Sequence, residues 1–137
     1  MGKSNEIIIG NRDGEHISVQ VDSARNVEGW FGAEVHVCCG GWRGKIDAEF
    51  YGNELTRFAE EIRALYRNLT GVARLDPTEP YITLKLEGDG KGHIVVDGTA
   101  QRTPGDQTYL TFRIEIDQTY LPHIADALFN SNPPSPR

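Results

Sequence analysis

Cysteine is nearly missing from this 137-residue sequence: Cys38 and Cys39 are the two, and they are neighbours. Adjacent strand residues point to opposite faces, so a bond between them is geometrically poor. No disulfide framework is open to the chain, and free thiols suit a reducing compartment, so a cytoplasmic location is expected. Long apolar runs are missing as well. Nothing approaches the roughly 20 apolar residues of a membrane helix, and the opening MGKSNEIIIG lacks the apolar core of a signal peptide. Positive charge is also short: 14 Lys and Arg stand against 20 Asp and Glu, a net charge of −6. Nucleic acid and anionic membranes reward basic patches, so neither is an expected partner, whereas the charge permits a basic protein partner.

What is present fits a single domain over residues 1–130, followed by a disordered Pro-rich tail, 131–137. A chain of this length buries roughly two-thirds of its unfolded surface, enough for a core without staples. No internal repeat and no linker is visible. Most of the chain alternates with period two. Ile17, Val19 and Val21 share a side, as do Ala33, Val35 and Val37. Trp42, Ile46, Ala48 and Phe50 form a third set, Ile82, Leu84 and Leu86 a fourth, and Leu110, Phe112, Ile114 and Ile116 a fifth. Such strands bury one face, which favours an antiparallel sheet. Asn53 to Leu69 instead carries a helix stripe at 55, 58, 59, 62, 65, 66 and 69, with Asn53 as N-cap and Gly71 as stop. Arg57 and Glu61 offer an i,i+4 pair. A second helix begins near Asp117 or Thr119, with Pro122 tolerated in its first turn. The expected fold is α+β: a curved antiparallel sheet of about six to seven strands with two helices packed on one face.

EGDGKGHIVV, from Glu87 to Val96, starts like a calcium loop. Numbered as one, it puts Lys91 where an oxygen ligand is needed and Gly98 where a bidentate Glu should close the site. The flanks alternate as strands. The segment reads as a hairpin from Leu86 to Ile94, with Gly88, Gly90 and Gly92 supplying positive φ. Other chemistry is thin. His36 and Cys38 share a face, but a structural zinc site needs four ligands, and His16 and His93 would have to meet them across the sheet. No local signature supports a Cys–His dyad. Asp47 and Glu49 share a face but sit in a charge ladder with Arg43 and Lys45, which cross-strand ion pairing explains. Trp42, Tyr66 and Tyr120 follow apolar phases and are expected in the core, while Trp30 is open to either side. No catalytic, metal or cofactor residue is assigned.

The outward face of the sheet is the remaining feature. It is polar and mixed in charge, and rigid charged rows suit steering and partner selection. Its candidate contact residues are Trp30, Glu34, His36, Arg43, Lys45, Asp47, Glu49, Lys85 and Arg113.

Several phrases also carry a family likeness: RFAEEIRALY from Arg57 to Tyr66, Leu69-Thr70-Gly71 with Ala73-Arg74-Leu75, GDGKGHI from Gly88 to Ile94, and EIDQTYLPHI from Glu115 to Ile124. With Gly29-Trp30-Phe31 they resemble small bacterial proteins of the WapI-type immunity family. The likeness runs from Gly29 to Leu128, and the segment from Asn5 to Ala24 lies outside it. It implies a cytoplasmic, non-enzymatic antidote that binds a cognate secreted toxin domain, often a nuclease, and blocks it. Nuclease toxins are basic around their active sites, so an acidic inhibitor would be steered to them. The reading is therefore a protein-binding module that occludes a toxin. The alternatives are a scaffold domain, including a homodimer through an edge strand, and a small-ligand-binding domain or enzyme using a concave pocket.

Overall fold

A computed structural model describes residues 6–22 and 24–133. The chain opens with a meander of four antiparallel strands: β1 (Glu6–Gly10), β2 (His16–Val21), β3 (Trp30–Cys39) and β4 (Trp42–Tyr51), hydrogen-bonded in that order. Each brings apolar, mostly β-branched or aromatic, residues to one face, so Ile17, Val19, Val35, Val37, Ala48 and Phe50 are buried while the intervening residues, apart from buried Ser18, are at least partly exposed. Gly40 and Gly41 both take positive φ, 60° and 84°, as a two-residue type I′ turn requires, and this fixes Cys39 opposite Trp42. Helix α1 (Glu54–Asn68) follows.

The second half repeats the plan. Strands β5 (Thr70–Leu75), β6 (Ile82–Asp89), β7 (His93–Gln101) and β8 (Tyr109–Asp117) form another four-stranded antiparallel sheet, followed by a single 3₁₀ turn (Gln118–Tyr120) and α2 (Leu121–Ser131). The fold is thus α+β with two helices, but its eight strands divide into two sheets rather than forming one curved sheet of six to seven. The repeat lies in the backbone and has no counterpart in the residue pattern. β5 is easily overlooked, because only Ala73 and Leu75 of TGVARL are buried.

One buried cluster joins the inner faces of both sheets to both helices. α1 contributes Leu55, Phe58, Ala59, Ile62 and Leu65, and α2 contributes Leu121, Ile124, Ala125 and Leu128. The helices lie against each other, α1 beside β5 and α2 beside β1. The inner set Phe112 and Ile114 is buried as its alternation requires. Three aromatic expectations fail. Trp42 keeps its phase but stands at the hairpin end and is 68% exposed; Tyr66 and Tyr120 are 44% and 36% exposed. Both tyrosines have a polar tip that favours the water interface.

The helix ends also differ from expectation. The Asn53 side chain makes no cap bond. Glu54 instead accepts from the backbone N–H groups of Tyr51 (2.6 Å) and Thr78 (2.7 Å), tying the helix start to two loops. Leu69, not Gly71, takes the left-handed cap, at φ 63°. Glu61 accepts from the Arg74 N–H of β5 at 2.8 Å rather than pairing with Arg57.

The EGDGKGH segment is a hairpin turn. Asp89 Oδ1 accepts from the backbone N–H groups of Lys91 (2.7 Å) and His93 (3.1 Å). Gly90 and Gly92 have positive φ, but Gly88 does not. Gly88 is needed for another reason: a Cβ there would stand 2.3 Å from the Leu69 carbonyl oxygen.

Residues 131–133, which the expected tail included, are held against the fold. Ser131 is buried at the end of α2, and Arg25 holds the next two residues. Its guanidinium donates to Asn132 Oδ1 (3.2 Å) and to the Pro133 carbonyl (2.9 and 3.0 Å). It also donates to the Gly52 carbonyl (2.9 Å) and lies 4.9 Å over the Phe31 ring. Residues 134–137 fall outside the described ones.

Candidate functional site

The outward faces of the two sheets carry the polar residues picked out by alternation, and the division into two sheets separates them. Trp30, Glu34 and His36 on β3 join Arg43, Lys45, Asp47 and Glu49 on β4 in one patch. Lys85 and Arg113 lie on the second sheet, on β6 and β8.

Within the first patch, Glu34 is the organiser. Its Oε1 meets His36 Nε2 at 2.7 Å, and its Oε2 meets Lys45 Nζ at 3.4 Å. The His36 contact, with Lys45 adding to it, holds the Glu34 carboxyl below the usual carboxylate range. The ladder does not pair the other charges across β3. Asp47 stands opposite Glu34, Glu49 opposite Gly32, and Arg43 opposite Cys38. Among the described residues no opposite charge lies within ion-pair distance of Arg43, Asp47 or Glu49. The cross-strand pairing expected for these residues is therefore confined to Lys45. Trp30 is half-buried, its ring 5.0 Å from that of its cross-strand neighbour Tyr51.

The second patch is internally paired. Arg113 grips Asp97 with two bonds, 2.7 and 3.2 Å, a fork geometry that keeps its guanidinium more firmly protonated. Lys85 lies 3.6 Å from Glu87. A depression of about 420 Å³ runs over this face, lined by Lys85, Asp97, Thr99 and Thr111 among others. A second cleft, of about 480 Å³, opens between the start of β4 and the β7–β8 hairpin, with Trp42, Ile46, Tyr109 and Leu110 in its wall.

The ligand and nucleophile candidates are dispersed or engaged. His16 stands opposite Cys38, but its Nδ1 lies 3.0 Å from the Gly14 carbonyl, and His93 is on the other sheet. Among the described residues no three His, Cys, Asp or Glu side chains are grouped to hold a metal ion. Cys39 donates its thiol to the Arg113 carbonyl at 3.3 Å, and burial pushes its pKa up, the opposite of an activated nucleophile. Among the described residues no helix is long and apolar enough to cross a membrane.

A profile described as the immunity protein WapI-like family matches residues 7–130. The chain belongs to the WapI-like immunity protein family. The match takes in β1 and β2, which the phrases legible in the sequence left out. Membership in the WapI-like family supports a toxin-neutralising immunity role, exercised by binding a cognate toxin, and such families are generally non-enzymatic. No curated protein matches the chain. Among solved structures, the crystal structures of Trypanosoma bruciei MRP1/MRP2 are similar, with a TM-score of 0.52 and 10% identity over 96% of this chain and 84% of that one. At that identity the likeness concerns the fold alone.

Proposed function

We propose that this WapI-like protein neutralises a toxin domain by stoichiometric occlusion, with the outer face of β3 and β4 as the contact. The family match over residues 7–130 carries the reading. The choice of face rests on the charges left without partners: Arg43, Asp47 and Glu49 stand solvated on a rigid ladder beside the half-buried Trp30. Charges without a partner can pair with a docking protein without first breaking an existing ion pair, and such pairs discriminate among partners. Lys85 and Arg113 contribute less, because Glu87 and Asp97 already engage them. A net charge of −6 favours a basic target such as a nuclease domain, reached quickly by steering in the cytoplasm.

The test is growth rescue by co-expression with the toxin domain encoded beside the gene. The wild-type chain is expected to rescue. Arg43→Glu, Lys45→Glu and Asp47→Lys together are expected to abolish rescue while the circular dichroism spectrum stays native. Rescue by that triple variant would overturn the chosen face, and a wild-type chain that binds the toxin without rescuing would overturn occlusion.

A further inference from the structure

The charges of β4 have a second property: their order is self-complementary. Along its outward face the strand reads Arg43, Lys45, Asp47, Glu49, two cations and then two anions. β4 is also the barest sheet edge. β1 and β5 lie beside helices, and β8 approaches β1 and β3, whereas β4 has α1 as its principal neighbour beyond its hairpin partner β3.

We infer that β4 is a self-pairing edge, which joins two copies of this chain antiparallel about a twofold axis through Ile46. The backbone phase fits. The two-residue turn makes Cys39 and Trp42 a hydrogen-bonded pair, so the even-numbered residues of β4 bond to β3. The N–H and C=O groups of Arg43, Lys45, Asp47 and Glu49 then point to the open edge. Pairing about Ile46 sets Arg43 against Glu49 and Lys45 against Asp47 of the second copy. Each pair exchanges two backbone hydrogen bonds and places opposite charges face to face.

The charges select this register. A shift of the pairing by two residues in one direction sets Asp47 against Asp47, and in the other direction Lys45 against Lys45. Edge lysines ordinarily discourage strand addition; here each meets a carboxylate in one alignment. On the inner face, half-buried Ile46 would meet its own copy, and exposed Trp42 would gain a neighbour at Phe50. The cleft beneath the first half of β4 leaves room below this seam. The outer face stays continuous across it, with Glu34 and His36 on either side.

Sedimentation of the full chain in the absence of toxin tests this apart from toxin binding, which draws on the same β4 charges and would compete with the seam. The wild type should approach twice 15.2 kDa as concentration rises. Lys45→Asp places two carboxylates together on each side of the twofold axis and should weaken association by at least about tenfold. Adding Asp47→Lys to it swaps the pair and should restore the dimer. A wild type that stays at 15.2 kDa up to about 1 mM overturns the inference. A dimer indifferent to Lys45→Asp overturns it too, as does a natively folded double variant that fails to recover association.

Discussion

Gly88 shows most sharply how single atoms hold this fold. The Leu69 carbonyl fills the space where a side chain would start, and Gly90 N–H donates to that same carbonyl at 2.9 Å. Gly88→Ala must push the β6–β7 hairpin off the end of α1, and urea unfolding should show a loss of about 1–3 kcal/mol. An unchanged midpoint would mean that the contact is slack. Arg25 is the second such residue. Its guanidinium donates to the carbonyls of Gly29, Gly52 and Pro133, so Arg25→Ala should cost about 1–3 kcal/mol and speed proteolysis after α2. Carboxylates form a third group. Hydrogen bonds hold Glu34, Asp89 and Asp117 below the usual carboxylate range: His36 acts on the first, the Lys91 N–H on the second, and Thr119, through its hydroxyl and its N–H, on the third. Their folded pKa values lie below the unfolded ones, so their stabilisation is complete above about pH 4 and fades as pH falls through the folded values. Asp89→Asn should therefore lose less urea resistance between pH 7 and pH 3 than the wild type. Equal losses would contradict the assigned role of Asp89.

At the scale of elements, alternation was a sound guide to side-chain facing and a poor guide to assembly. Ile82, Leu84 and Leu86 point inward as their spacing demands, and the stripe of α1 is buried from Leu55 to Leu65. Period two cannot say which strands pair, because each hairpin is locally complete, and so two four-stranded sheets read the same as one larger sheet. The same blindness joined Lys85 and Arg113 to a patch on the other sheet. Trp42 failed for a related reason: its phase is correct, but its position at the hairpin tip leaves it uncovered. Arg25 left little local signal, since apart from Gly29, four residues on, its hydrogen-bond partners lie 27 to 108 residues away in sequence. Trp42→Phe should change stability by less than about 0.5 kcal/mol, as exposed substitutions do, while removing the red-shifted part of the tryptophan emission. A large loss of stability would put Trp42 in an interface or in the core, and a loss that grew with protein concentration would favour the β4 seam.

At the scale of the whole molecule, two β-meander-and-helix halves close one core and turn two ladders outward. The second ladder pairs its own charges at Arg113 and Asp97, while the first leaves Arg43, Asp47 and Glu49 solvated. That asymmetry is why we propose the first sheet as the toxin-binding surface of this WapI-like immunity protein. Titration of the purified toxin domain with this chain tests the claim most directly. Toxin activity should fall in proportion to added protein and vanish at one-to-one, with the pair co-eluting as a complex. Full toxin activity in the presence of excess chain would contradict the account, and so would inactivation by a small fraction of an equivalent, the signature of turnover rather than occlusion.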